Sequence, residues 1–128
     1  MSNIDAIRGA YASFQAGDIP GVLAVFDADI EWIVPGRGGL AGTYKGSDGV
    51  VTFFTELAQR SGGTFALDVI DLMGSADRVV AVVRERASRG EQSLDVVNLH
   101  YWDMRDGKAI RFVGYEYDQY AEDEFYGG

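Results

Sequence analysis

Residues 92–104 read QSLDVVNLHYWDM, and the alternation within them decides the fold. Successive side chains of a strand point to opposite faces. One set is Leu94, Val96, Asn98, His100, Trp102 and Met104; the other is Asp95, Val97, Leu99, Tyr101, Asp103 and Arg105. The first set ends in Trp and Met, which assigns it, His100 included, to the core. The second ends in Asp and Arg, yet Val97, Leu99 and Tyr101 make it too apolar for a face left in water. Something is expected to cover it, and a second subunit is the simplest cover.

Downstream, Asp106-Gly107 is a strong hairpin signal into a further strand over 109–117. There Ile110, Phe112, Gly114, Glu116 and Asp118 alternate with Arg111, Val113, Tyr115 and Tyr117. A bulge at Gly114 would change the facing of Glu116 and Asp118. Upstream, residues 78–88 are apolar on both faces, as in a central strand, and another strand is expected near 64–73. Before these the period is helical. Ile4, Ile7, Tyr11 and Phe14 form one stripe over 3–16, with Ser2 as cap and Gly17 as stop. Asp18 and Pro20 open a second short helix, and Val50, Phe53, Phe54 and Leu57 mark a third from Ser47 to about Arg60. A strand at 29–34 puts Trp32 and Val34 on one face. Three helices and a run of antiparallel strands mean an α+β fold, not a doubly wound parallel sheet. No linker or repeat divides residues 1–128, so one domain is expected.

Composition removes several function classes. The 128-residue chain has a formal net charge of -9, which disfavours nucleic acid and anionic membrane surfaces as partners. It contains no cysteine, which excludes disulfides, thiolate nucleophiles and zinc–thiolate sites. His100 is the one histidine, so no site built on two histidines exists within the chain. The apolar stretches are too short to cross a membrane, and Met1–Asp5 has no basic flank or long apolar run of a signal peptide. Cytoplasmic residence is the expectation. The stretch Gly36-Arg37-Gly38-Gly39-Leu40-Ala41 is a loose dinucleotide-loop match, but it follows Pro35 and opens no helix. It reads better as a mobile loop at a pocket mouth.

The order of these elements carries a resemblance. Ala16-Gly17-Asp18, Phe26-Asp27-Ala28-Asp29, Glu31-Trp32-Ile33-Val34-Pro35-Gly36, Leu40-Ala41-Gly42-Thr43-Tyr44-Lys45-Gly46 and the Arg105–Lys108 hairpin together resemble the SnoaL-like, ketosteroid-isomerase-like branch of the NTF2-like superfamily. The resemblance implies a cone-like fold, with a curved antiparallel sheet packed on three helices around an apolar pocket. It also implies a homodimer through the outer sheet face. The catalytic groups of the superfamily carry over incompletely. The isomerase base falls on Val34, the tyrosine oxyanion donor falls near Ala10 beside Tyr11, and the second oxyanion donor falls at or next to His100. The base that cyclases and epoxide hydrolases carry on the last strand falls on Gly114, with Glu116 two residues on. Arg84-Glu85-Arg86 matches the epoxide hydrolases' Arg-x-Asp pair without its second acid.

His100 is the leading candidate, since it titrates near neutrality without help. It can serve a pocket as proton donor or general acid/base, sit satisfied in the core, or, least favoured, ligate a metal. Glu116 and Asp118 are the candidate carboxylates opposing it; the alternative places them in a solvated acidic stretch with Glu122, Asp123 and Glu124. Trp32, Trp102, Tyr11, Phe53 and Tyr115 are candidate ligand contacts. Arg84 could clamp a ligand oxygen or, like Arg86, serve in a structural ion pair. The expected activity is cofactor-independent proton transfer (isomerisation, cyclisation or dehydration) on an apolar, carbonyl-bearing or cyclic small molecule, with no metal. The rival is a non-catalytic ligand-binding or protein-interaction domain.

Overall fold

The computed structural model describes residues 2–127. Helix α1 spans Asn3–Gln15, α2 Ile19–Leu23, α3 Gly46–Arg60 and α4 Gln119–Tyr126. The strands are β1 Phe26–Val34, β2 Gly42–Lys45, β3 Ala66–Gly74, β4 Arg78–Arg89, β5 Gln92–Arg105 and β6 Lys108–Tyr115. They form one open six-stranded sheet in the order β2-β1-β6-β5-β4-β3. All neighbours are antiparallel except β1 and β6, which run parallel. The fold is α+β. Among the described residues, no helix is long and apolar enough to cross a membrane.

The caps fall where the sequence places them. The Ser2 hydroxyl accepts from the Asp5 N–H, and the Asp18 carboxylate accepts from the Gly21 N–H. Ile7, Ala10 and Tyr11 of α1 are buried against the sheet, as are Val50, Phe53 and Leu57 of α3. On β5 the alternation holds along its length. Leu94, Asn98, His100, Trp102 and Met104 are buried, while Val97 and Leu99 are exposed on the far face.

Three elements depart from the sequence reading. Strand β1 begins at Phe26 rather than residue 29, because Phe26 and Ile30 are both buried and extend its inner face. Strand β2 pairs with β1 along Glu31↔Lys45 to Val34↔Gly42, inside a glycine-dominated stretch whose strand signal is only Thr43-Tyr44. Helix α4 is a fourth helix in a segment whose acidity resembles a solvated tail; Glu122, Phe125 and Tyr126 are buried in it. The sheet irregularity lies opposite Ile110, not at Gly114: the ladder steps from Asp103↔Arg111 to Met104↔Ala109 and runs regularly through His100↔Gly114. Glu116 therefore keeps the facing of Phe112.

The helix-free face of the sheet carries Val97, Leu99 and Tyr115, 47%, 43% and 55% exposed. Ion pairs flank this apolar strip. Arg84 grips Asp95 with two hydrogen bonds of 2.8 and 2.6 Å, and Arg86 meets Asp68 at 2.5 Å.

Candidate functional site

Strand register converts the sequence into rows on the concave face. Trp32, Phe112 and Trp102 share one row across β1, β6 and β5. The next row holds Gly114 opposite His100, with Ala81 beyond. Asn98 and Val83 form the row after that, and Glu85 on β4 lies diagonal to Asn98. The face thus grades from aromatic, through a row that lacks a side chain at Gly114, to acidic and amide groups. A Cβ at Gly114 would lie 3.2 Å from Glu116 Oε1 and 3.4 Å from Pro35 Cδ. The missing side chain leaves room above the sheet. A cavity of about 100 Å³ occupies that space, bounded by the aromatic row, Phe53, His100 and the acids Glu85, Glu116 and Glu122.

The aromatic end is continuous. Trp32 stacks on Phe112 with centroids 3.8 Å apart, and Trp102 meets both rings edge-on. From this end a hydrogen-bond chain runs to the acids. Trp102 Nε1 donates to the Tyr11 hydroxyl at 3.1 Å, and that hydroxyl lies 2.6 Å from His100 Nδ1. His100 Nε2 lies 3.4 Å from Glu85 Oε1. The directions assign the tautomer. Of the two groups that meet the Tyr11 oxygen, the indole N–H can only donate, so the phenol proton is assigned to His100 Nδ1, which places Nε2–H on the side of Glu85. Burial, above all, pushes the Tyr11 phenol far above its ordinary range, so it stays protonated.

Asn98 ties the acids together. It is 1% exposed, and its amide donates to Glu85 Oε1 at 2.9 Å and Glu122 Oε1 at 2.8 Å. Its own oxygen accepts from the Tyr117 N–H at 3.0 Å. One oxygen each of Glu85, Glu116 and Glu122 lies within 4.8 Å of the others. Three carboxylates this close cannot all be ionised without a compensating charge. Their environments separate them. Burial works against charge on Glu85, but the hydrogen bond from His100, the attraction of His100 when protonated and the hydrogen bond from Asn98 outweigh it and hold the carboxyl below its usual range. Burial, the hydrogen bond to Glu122 and the charge of Glu85 push Glu116 up to about 10, so it carries a proton at neutral pH. Burial also raises Glu122, against the hydrogen bonds it receives from Glu116 and Asn98. The spacing of the three acids would suit a divalent cation. However, Asn98 donates to carboxylate oxygens of two of them, and the proton on Glu116 satisfies part of the cluster.

Helix α4 closes this end. Asp118 caps it by accepting from the Ala121 N–H at 3.1 Å. Asp123 accepts from the backbone N–H groups of Arg37 and Gly38, which holds the β1–β2 loop on the cavity wall. At the other end of α4, Arg60 Nη1 donates to the Tyr126 carbonyl at 2.7 Å and Arg89 Nη2 to the Phe125 carbonyl at 2.6 Å. These cations complement the helix C-terminus.

His100, Glu116, Tyr11, Trp32, Trp102 and Phe53 all border the cavity. Three other candidates do not. Asp118 is exposed because its carboxylate serves as a helix cap. Tyr115 and Arg84 alternate onto the outer face, where Arg84 is consumed by Asp95. Gly38, Leu40 and Ala41 of segment 36–41 line the cavity, and Asp123 accepts from the N–H groups of Arg37 and Gly38 within it. Glu85, Asn98 and Glu122 are site groups that the sequence reading does not single out. The available signal was Asn98, an amide flanked by Val96 and His100 on an apolar face, which demands buried partners.

Comparison with known proteins agrees with this architecture. The SnoaL-like domain family matches residues 7–112, and the chain belongs to it. An uncharacterised protein of Mycobacterium tuberculosis, Rv0034, is 31% identical over 126 residues, covering 98% of this chain and 96% of its own. Among solved structures, Bal32a from a soil-derived mobile gene cassette is 34% identical with a TM-score of 0.92, covering 97% of this chain and 95% of that one. TerC, co-crystallised with polyporic acid, is 33% identical with a TM-score of 0.86 and 97% coverage of both chains. A Xanthomonas campestris protein of unknown function with a cystatin-like fold is 26% identical with a TM-score of 0.93 and 100% coverage of both chains.

Proposed function

We propose that this SnoaL-like chain is an enzyme of cofactor-independent proton transfer on a small apolar, carbonyl-bearing or cyclic molecule. One observation carries the reading: two carboxyl groups on one cavity wall, Glu85 and Glu116, driven to opposite protonation states by their surroundings. Such a split assigns the base and the acid. Glu85, ionised, takes a proton from a carbon beside the substrate carbonyl. Glu116 turns its proton from Glu122 to the carbonyl oxygen and gives it up there, so an enol forms. Glu85 then returns its proton at a second carbon while the enol proton goes back to Glu116, which completes an isomerisation; given instead to a departing β-hydroxyl, the Glu85 proton releases water and completes a dehydration. The aromatic row holds the apolar body. The polyporic acid held by TerC supports a ligand role for this cavity.

His100 has a different part from the one its sequence position invites. Both ring nitrogens are engaged, by Tyr11 and Glu85, so none is free for a substrate oxygen. In this reading His100 is a positioning residue that orients Glu85. The same engagement favours the rival, a ligand-binding domain without catalysis, because donors on Glu85 lower its basicity.

Proton exchange separates the two readings. Each pocket-binding ketone is incubated with the protein in heavy water, and deuterium uptake beside the carbonyl is followed by NMR. Wild type is expected to accelerate exchange, and Glu85→Gln and Glu116→Gln to lose roughly 10²-fold or more. Binding without exchange in every case would overturn the catalytic reading and leave the ligand-binding one.

The exposed strip of Val97, Leu99 and Tyr115 supports a second copy of the chain as its cover. Sedimentation at micromolar concentration is expected to give the dimer mass for wild type and the monomer mass for Leu99→Glu; a monomeric wild type would refute the pairing.

A further inference from the structure

Trp32 is 5% exposed, borders the cavity, and its Nε1 is buried without a hydrogen-bond partner among the described residues. The other indole, Trp102, uses its N–H on Tyr11. Rings surround Trp32: Phe26, Phe53, Phe54, Trp102 and Phe112 all lie within 5.7 Å between centroids. None of these supplies an oxygen acceptor. A buried donor left unpaired destabilises a fold, and native interiors rarely contain one without a reason. A phenylalanine would fill an aromatic site without that cost. At the opposite end of the cavity, Glu116 Oε2 is likewise buried without a partner. The register sets Trp32 beside Phe112, Gly114 follows on the same face of β6, and Glu116 comes just past the end of that strand. The two unsatisfied groups thus flank the row that lacks a side chain.

We propose that Trp32 Nε1 is the specificity donor of the site, and that it binds an oxygen acceptor at the end of the ligand remote from the acids. This deepens the proposed function and rests on its ligand-binding part. A ligand with oxygen at one end only meets one of the two groups, so a monoketone seated on Trp32 leaves Glu116 Oε2 unpaired. The preferred class is therefore a ring compound oxygenated at both ends, of the quinone or hydroxyketone kind. Recognition by a buried donor also rejects analogues that lack the acceptor, since the N–H must then stay unpaired.

The test uses matched probes: acetophenone with ethylbenzene, 1-tetralone with tetralin, 9-fluorenone with fluorene, and polyporic acid. Affinities are measured on wild type, Trp32→Phe and Glu116→Gln. In parallel, the two tryptophan indole N–H signals are followed by ¹⁵N–¹H NMR and assigned with Trp32→Phe. Wild type is expected to prefer ketone over hydrocarbon by about tenfold, the equivalent of one satisfied buried donor. In Trp32→Phe that preference should largely vanish while hydrocarbon affinity holds. In wild type the ketone should move the Trp32 indole proton downfield, and the hydrocarbon should not; this second readout stands even if Trp32→Phe fails to fold. Probes that bind with an unchanged Trp32 signal, or with the same preference in Trp32→Phe, would overturn the Trp32 assignment and leave the pocket intact. If no probe binds wild type, the ligand-binding reading and this inference fall together.

Discussion

Replacing Glu116 by Gln tests the state of the acid cluster without any knowledge of the substrate. The Glu116 carboxyl titrates near 10 in the folded chain, against 4.5 for an ordinary glutamate, chiefly because burial disfavours its charge. The folded value lies above the unfolded one. Between those limits the folded chain holds a proton that the unfolded chain has released, so stability falls as pH rises through the window. One such proton changes stability by about 1.4 kcal/mol per pH unit. From about pH 5.5 to 7.5 the wild type should therefore lose about 2–3 kcal/mol through this proton. Glu122 shares it, so the effect belongs to the pair. Glutamine cannot ionise, yet its amide can still donate to Glu122, and in Glu116→Gln the contribution disappears. Urea unfolding of both proteins at half-unit pH steps gives two curves whose difference removes the groups they share. The variant should gain on the wild type by about 2–3 kcal/mol across the interval. Parallel curves would mean that Glu116 is ionised at neutral pH, and the acid–base assignment would be wrong.

Tyr11→Phe strips a hydroxyl from between two buried nitrogens, His100 Nδ1 and Trp102 Nε1. Its urea midpoint should correspond to a loss of about 2–3 kcal/mol, and a loss near zero would remove the hydrogen-bond chain from the account. Gly114→Ala puts a methyl group on the cavity floor, against the flexible end of Glu116. Stability should change by no more than about 1 kcal/mol, while ligand-induced thermal shifts shrink; a ligand indifferent to it would bind elsewhere. Millimolar calcium or manganese should leave the melting temperature unchanged, because Asn98 already donates to two of the three acids. A rise would replace the shared proton with a cation.

The sequence is most legible where a strict period governs both faces. The alternation of β5 placed His100, Trp102 and Met104 inside without ambiguity, and the stripe of α1 placed Tyr11 there too. Legibility fails where burial depends on distant partners. Glu122 looks like part of a solvated acidic run, and only the docking of α4 beside Asn98 makes it interior. Glu85 sits between two arginines in sequence, but they alternate onto the outer face and it meets His100 and Asn98 on the inner one. Asp118 and Glu116 share a parity along the strand, yet β6 ends at Tyr115, so Asp118 becomes a cap rather than a wall group. Strand β2 hides because pairing with β1, not local propensity, makes it a strand.

The parallel contact between β1 and β6 has a consequence for how the molecule comes into being. During synthesis β1 emerges with only the four-residue β2 as a partner, and a two-stranded ribbon is marginal by itself. Phe26 and Trp32 must wait for Phe112, whose strand lies near the far end of the chain. Contacts so remote in sequence close slowly, and they leave aromatic surface uncovered meanwhile. The cavity is therefore among the last parts to close. Its aromatic wall forms when β6 slots between β1 and β5, and its acidic wall only when α4, still later off the ribosome, folds over Asn98.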